Sequence, residues 1–337
     1  EELLANADIR CAVYDKTTAN PTVPNVEEAK DLYLQEGCQA IIALGGGSSI
    51  DCAKGCGARI AKPRQSLAKM KGLLKIHKKL PTLIAIPTTA GTGSETTLAA
   101  VITDPKSHHK YPINDFCLIP RYAVLDPQIT CSLPPSLTAS TGMDALTHAV
   151  EAYIGRSTTK QTREDALTAV SLIFENLSTA YHDGSNLEAR RNMLHAAYLA
   201  GSAFTVSYVG YVHAVAHSLG GRYGTPHGLA NAVLLPYVLE AYGSSAHKKL
   251  HDLAVAAGLC DETVSHEEGA ALFIQAIKDM KQEFGLKDSS IRVNAKDIPR
   301  LAYFAAQEAN PLYPVPKLMS RRELEQFYRP FVKEASV

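Results

Sequence analysis

No net charge accumulates on this chain: 34 basic and 34 acidic side chains cancel across 337 residues. Without an overall field it has no long-range hold on a nucleic-acid backbone or an anionic bilayer surface, so the expected partners are small molecules or other proteins. No apolar run reaches the roughly 20 residues that span a bilayer, and no basic segment followed by an apolar stretch opens the chain. The seven cysteines, at 11, 38, 52, 56, 117, 131 and 260, are odd in number and never form C-x-x-C. That distribution excludes a disulfide framework and suits reduced thiols in a cytoplasm. Also missing are the G-x-G-x-x-G dinucleotide fingerprint, internal repeats and low-complexity tracts. The chain opens at Glu1 without an initiator Met, so an upstream segment is expected.

What is present suits a globular protein of about two domains, with 46% hydrophobic residues to bury. The first third alternates β-like and helical stretches. Ile9–Tyr14 reads as a strand, and Asn25 with Glu28 as the capping box of a helix over Val26–Glu36, which Gly37 would stop. Strands follow at Ala40–Leu44, Leu83–Ile86 and Tyr122–Leu125, the rhythm of a Rossmann-like, doubly wound parallel sheet. From Pro134 onward helical periodicity dominates, broken near Gly155, Asp183-Gly184, Gly243, Gly258, Gly285 and the Pro-rich 310–316 segment. The expected organisation is an α/β domain over residues 1–133 and an all-helical, metal-binding domain over 134–337. Between Arg59 and Lys79 lie eight Lys or Arg residues and no carboxylate. This stretch reads as a solvated connector, with a clamp for a phosphate-bearing ligand as the functional alternative.

Strand Ala40–Leu44 runs into Gly45-Gly46-Gly47-Ser48-Ser49-Ile50-Asp51, a glycine turn opening a helix. Such a turn lets backbone amides and the helix dipole meet a phosphate; a tight turn with Ser48 as N-cap is the plainer reading. A second turn, Pro87 to Glu95 with Thr88, Thr89 and Thr92, ends the next strand. Two such turns at the carboxyl ends of parallel strands suit a dinucleotide pyrophosphate. Cys52 and Cys56, one helical turn apart, read as small core hydrophobes.

Asp144 and His148 are spaced i, i+4 and share a helical face; so do His213 and His217, and Pro226-His227-Gly228 reads as the start of a further helix. Three imidazoles and a carboxylate suit Fe(II), Zn or Ni. Asp144, His148, His213 and His227 are the expected metal ligands, and His217 is left to face substrate or nicotinamide and pass a proton, or to sit in the core bonded to a carbonyl. Beside a nicotinamide, such an ion would act as a Lewis acid on an alcohol oxygen, favouring its alkoxide. His108 and His109 read as exposed in a polar loop.

These four motifs in this order, from the glycine turn to His213-x3-His217-x9-His227, resemble the iron-containing (group III) alcohol dehydrogenase family. The resemblance implies NAD or NADP as cofactor, primary alcohols or aldehydes as substrates, and a homo-oligomer. It places Asp15, Gly46, Gly47, Ser48, Asp51, Thr88, Thr89, Thr92, Lys110 and Leu133 around the cofactor, His217 in the active site, and Phe204 and Ala99 in the walls of the substrate pocket. The family's segment that discriminates NAD from NADP precedes Glu1. Glycerol dehydrogenases and dehydroquinate synthases share the architecture, but the apolar, Ala-rich flanks of the ligands argue against both. A non-catalytic, metal-stabilised interaction protein is the contrasting class, and it would have no use for two phosphate turns.

Overall fold

The computed structural model of the chain describes residues 1–105 and 109–332. After a one-turn helix, α1 (Glu2–Ala5), residues 9–18 have no regular structure. The strand expected over Ile9–Tyr14 does not form. None of these residues joins a ladder, and an alternating pattern without a neighbouring strand leaves its backbone unpaired. Helix α2 (Val23–Gln35) starts earlier than expected, because its cap is Thr22 rather than Asn25. Thr22 Oγ1 accepts the Asn25 amide at 3.3 Å, and Asn25 Oδ1 accepts the Thr22 amide at 3.0 Å. This reciprocal pair puts Asn25 at the third helical position, and Pro24 fits the first turn, where no amide is needed. Gly37 follows the helix, as expected.

The chain continues through β1 (Ala40–Gly45), α3 (Gly47–Ala61), α4 (Leu67–Met70), β2 (Gly72–Leu73), β3 (Thr82–Pro87), β4 (Ala99–Asp104), β5 (His109–Asn114) and β6 (Tyr122–Ala123). Strands β1, β3 and β6 form a parallel sheet in that order, with Ala40 opposite Thr82 and Gly45 opposite Pro87. The β6 strand is shorter than the expected Tyr122–Leu125. One further bond, Val124 N to Ala85 O at 2.8 Å, ends the pairing before Pro127, which has no amide to donate. A second sheet, β2-β5-β4, contains an antiparallel β4/β5 pair absent from the sequence reading. Its inward residues are Ala100, Ile102, Tyr111 and Ile113, all nearly inaccessible. His109 therefore opens a strand rather than sitting in a loop; His108 lies outside the described residues.

The basic stretch is more than a connector. Leu67, Met70 and Ile76 are fully buried in the core with Val26 and Ile102. Arg59 pairs with Glu27 at 2.5 Å and donates from Nη1 to the carbonyls of Lys62, Pro63 and Gln65, which fixes the turn after α3. Cys52 and Cys56 pack as buried apolar groups, and burial pushes the Cys56 thiol up to about 12. Lys54 is fully buried and donates to Thr97 O (2.7 Å), Thr97 Oγ1 (3.0 Å) and Ala99 O (2.8 Å). It thereby ties the middle of α3 to the start of β4.

The remainder is helical: α5 (Pro135–Ile154), α6 (Lys160–His182), α7 (Leu187–Ser207), α8 (Tyr211–Tyr223), α9 (His227–Tyr242), α10 (His247–Ala256), α11 (His266–Glu283), α12 (Ile298–Ala309) and α13 (Arg321–Leu324). Each glycine break read from the sequence falls at a helix end. The sharp break between α7 and α8 was not among them; it uses Tyr208 at φ +64. Helix α5 is buried on every side from Gly142 to Ile154, its polar Asp144, His148 and Glu151 included, and its alanines let neighbours approach closely. No single described helix is long and apolar enough to cross a membrane.

By compactness the chain forms two units, residues 1–88 with 94–126, and residues 89–93 with Pro127 onward. Segment 89–93 thus packs with the helices. Gly93, at φ +59, makes this possible: a Cβ there would lie 2.7 Å from Gly201 Cα and 2.8 Å from Ala197 O, both backbone atoms of α7. A Gly93→Ala protein should lose about 2–4 kcal/mol, adding left-handed strain to overpacking. Urea unfolding curves measure this; an unchanged midpoint would contradict the packing described.

Candidate metal centre and nucleotide turns

Three helices bring one polar cluster into the helical core. Helix α5 supplies Asp144, His148 and Glu151 on one face, α8 supplies His213 and His217, and the first residue of α9 is His227. Ligand atoms of Asp144, His148, His213 and His227 all lie within 4.8 Å of one another. The first three residues are buried, whereas the His227 side chain is 31% exposed and gives the cluster an outward side. Gly228 lets α9 start there, because a Cβ would run into the backbone carbonyl of Ser140 on α5.

The electrostatics favour a cation. Burial alone would raise the Asp144 carboxyl, but His227, His148, His213 and a hydrogen bond from Asn231 outweigh it and hold the pKa at about 2. Burial lowers His148, against the pull of Asp144 and Glu151, and lowers His213 well below its ordinary value, with His148 adding to the effect. Both imidazoles are therefore neutral near pH 7, the form in which a ring nitrogen has a lone pair to give. The donor set fits a divalent ion of the Fe(II), Zn or Ni type.

Two supporting residues went unread in the sequence. Glu151 is almost wholly buried and receives Gly210 N (2.8 Å), Val212 N (2.8 Å) and His213 Nδ1 (2.6 Å). Burial pushes its carboxyl up to about 7, against the pull of those amides. With two backbone amides already donating to this carboxyl, His213 Nδ1 is placed to donate to it as well, which leaves Nε2 with its lone pair turned to the cluster. Glu308 Oε1 lies 2.7 Å from His217 Nδ1 and also accepts Tyr313 Oη at 2.8 Å. His217 is thus bonded to a carboxylate, not to the carbonyl of the plainer reading, and its ring stacks on His227 at 5.2 Å. A helical signal existed for Glu151, three residues after His148. None existed for Glu308, 91 residues from its partner.

Phe204 on α7 stacks on His148 at 4.3 Å. Ala99 opens β4 in the other unit, its carbonyl held by Lys54.

In the α/β unit the glycine turn differs in detail from its sequence reading. Gly46 is the N-cap and Gly47 the first residue of α3, so Ser48 is not the cap. Its hydroxyl instead accepts Asn20 N at 3.1 Å, and Lys110 Nζ donates to Asn20 Oδ1 at 2.7 Å. Ser48 and Lys110 are therefore drawn together through Asn20. Both oxygens of Asp51 are already engaged, by Ser94 Oγ at 2.7 Å and Val101 N at 3.0 Å. Thr88 N donates to Gly45 O at 3.0 Å, which joins the two turns at the ends of β1 and β3. Thr89 and Thr92 lie in the segment that packs with the helices. The Leu133 carbonyl accepts Arg190 Nη2 at 3.5 Å. Asp15 is exposed and belongs to no strand.

Comparison with known proteins agrees with this arrangement. Residues 1–127 match the family model described as iron-containing alcohol dehydrogenase, and residues 138–332 match that of the C-terminal part of the Fe-containing alcohol dehydrogenase family. A 1,3-propanediol dehydrogenase of Citrobacter freundii is 38% identical over 97% of this chain and 84% of its own length. An NAD-dependent methanol dehydrogenase of Bacillus methanolicus is 37% identical over 88% of this chain and 81% of its own. The solved structure of an alcohol dehydrogenase from Oenococcus oeni superposes with a TM-score of 0.93 at 35% identity, over 97% of this chain and 86% of that one. With the sheet and its turns matched by one family model and the helices carrying the histidine–aspartate cluster by its companion, the chain belongs to the iron-containing alcohol dehydrogenase family.

Proposed function

We propose that this protein transfers hydride between a primary alcohol, or its aldehyde, and NAD or NADP, with a divalent ion held by Asp144, His148, His213 and His227. The observation that carries the reading is the convergence of one carboxylate and three imidazoles, whose ligand atoms lie within 4.8 Å of one another, inside the helical core. Fe(II) is the ion we favour, with Zn and Ni as alternatives. When bound, the ion supplies Lewis acidity to the substrate oxygen. The chain's own residues do the rest. Glu151 fixes the His213 tautomer, and Glu308 holds His217 by Nδ1, so that Nε2 is the atom that exchanges a proton with substrate or solvent. Phe204 and Ala99 are assigned to the substrate. Gly46, Gly47, Ser48, Asp51, Thr88, Thr89, Thr92, Lys110, Leu133 and Asp15 are assigned to the cofactor. Asp51 also supports the turn, through the bonds it accepts from Ser94 and Val101.

The names of the relatives, a propanediol and a methanol dehydrogenase, support short alcohols as the substrate class and NAD as the first cofactor to test. We assign residues 1–133 to the dinucleotide and 134–337 to metal and substrate, in a cytoplasmic homo-oligomer that binds neither nucleic acid nor membrane.

Alcohol oxidation requires the hydroxyl proton to leave, so kcat/KM for propan-1-ol should rise from neutral into alkaline pH. Initial rates of nicotinamide reduction by Fe(II)-loaded protein across that range test this. A profile that is flat, or that falls as pH rises, would contradict it.

A further inference from the structure

The Asn231 side chain is fully buried on α9, one turn after His227. Its Nδ2 lies 2.6 Å from Asp144 Oδ1, 3.1 Å from His213 Nε2 and 3.1 Å from His227 Nε2. One amide nitrogen thus reaches three of the four proposed ligand residues. Its orientation is fixed by chemistry, because the reversed amide would set an oxygen against a carboxylate oxygen and the lone pair of His213. At the other end of the amide, Oδ1 is buried with no hydrogen-bond partner among the described residues. A buried acceptor left unmade is costly, and the contacts on Nδ2 offset it.

An imidazole nitrogen has a single in-plane lone pair. With Nδ1–H of His213 donated to Glu151, the only lone pair of that ring is on Nε2, the atom the Asn231 amide faces. The same lone pair is the one a metal ion needs. Two amide hydrogens serve three acceptors, so one N–H goes to Asp144 and the other is shared between the two imidazoles. A cation has to take those imidazole lone pairs from the amide.

We propose that Asn231 is the internal competitor of the metal: its amide holds Asp144, His213 and His227 together in the metal-free protein and yields the two imidazoles when an ion enters. Asn231 is in this sense a positioning residue that sets how tightly the ion is held and how the site survives without it. The proposal rests on the metal-site reading given under the proposed function. It gives the variant Asn231→Leu, which keeps the branched heavy-atom framework and has no donors, two opposite effects. The metal-free protein melts at a lower temperature than wild type, because Asp144 and both imidazoles lose their donor. The metal is held more tightly, by about fivefold, the factor corresponding to one net hydrogen bond no longer in competition.

The experiment measures Zn(II) affinity by chelator competition, and thermal melting with and without Zn(II), for wild type, Asn231→Leu and Asn231→Ser. In parallel, the side-chain amide resonances of ¹⁵N-labelled wild type are followed during Zn(II) titration. Expected are a larger Zn(II)-induced rise in melting temperature for Asn231→Leu than for wild type, and one amide pair that shifts stoichiometrically with zinc. Asn231→Ser, which keeps one donor, falls between the two and serves if the leucine variant does not fold. An equal or weaker Zn(II) affinity in both variants, with an amide pair that ignores the metal, would overturn the proposal while leaving the metal site standing. Wild type that binds no Zn(II), Fe(II) or Ni(II) would instead overturn the metal-site reading beneath it.

Discussion

Replacing Asp144 with alanine should strip the protein of bound Fe(II) or Zn(II) and lower kcat/KM for a primary alcohol about a thousandfold. A Lewis acid contributes several kcal/mol of charge stabilisation in the transition state, and that is roughly what such a factor corresponds to. The expectation follows from the character of this carboxylate. It is only 2% exposed, yet against that burial His227 and the Asn231 amide help to keep it ionised, with a pKa at about 2. An anion is stable in such a place only where cationic or donor groups surround it. His148 and His213 are held neutral by burial, so no other side chain in the cluster supplies the charge that an incoming cation needs. Metal content by elemental analysis and turnover by nicotinamide absorbance read the two effects separately. Far-ultraviolet circular dichroism should show the helices retained, because α5 packs through Met143, Leu146, Ala149 and Val150 on its other faces. Full metal occupancy in this variant would remove Asp144 from the ligand set.

Glu151→Gln is the second large effect, and it acts at one remove from the metal. The carboxylate receives two backbone amides and the His213 Nδ1 proton, and it offers acceptors on all sides. A glutamine of the same shape turns an NH2 towards at least one of those donors. An NH2 in place of Oε2 faces both Gly210 N and His213, so the Nδ1 proton loses its acceptor and the imidazole is driven to the tautomer with hydrogen on Nε2, which occupies the lone pair the metal uses. An NH2 in place of Oε1 faces Val212 N instead, and the start of α8 is pushed outward. Either way metal affinity should fall about 10–100-fold, the usual cost of losing an outer carboxylate partner of a ligating histidine. The readout that separates positioning from plain structure is chelator competition alongside melting of the metal-free protein. A lowered melting temperature with unchanged affinity would reduce Glu151 to a structural support.

Much of this site was legible in the sequence because helices advertise their faces. Asp144 with His148 and His213 with His217 are i, i+4 pairs, Pro226 announces the helix that begins at His227, and the glycine-rich segments follow β-like runs. Glycines at helix ends marked most of the breaks in the helical unit. What was missed has physical reasons. Asn231 sits between alanines in an apolar helix and looks like an ordinary core position until two other helices are folded against it. Glu308 meets His217 only through tertiary packing. The β4/β5 pair escaped notice because its strands flank a polar segment, and Thr22 was overlooked as a cap because Asn25 is itself a common cap residue, here used at the third position of the helix.

The central claim is that four side chains from three helices hold an ion on which alcohol oxidation depends. It is tested most directly by anaerobic reconstitution of wild type and Asp144→Ala with Fe(II), followed by metal analysis and by nicotinamide reduction with methanol, propan-1-ol, butan-1-ol and propane-1,3-diol. Stoichiometric iron and turnover in wild type, with both lost in the variant, is the expected result. Equal turnover in the two proteins, or stoichiometric iron in wild type with no hydride transfer from any of these alcohols to NAD or NADP, would contradict it.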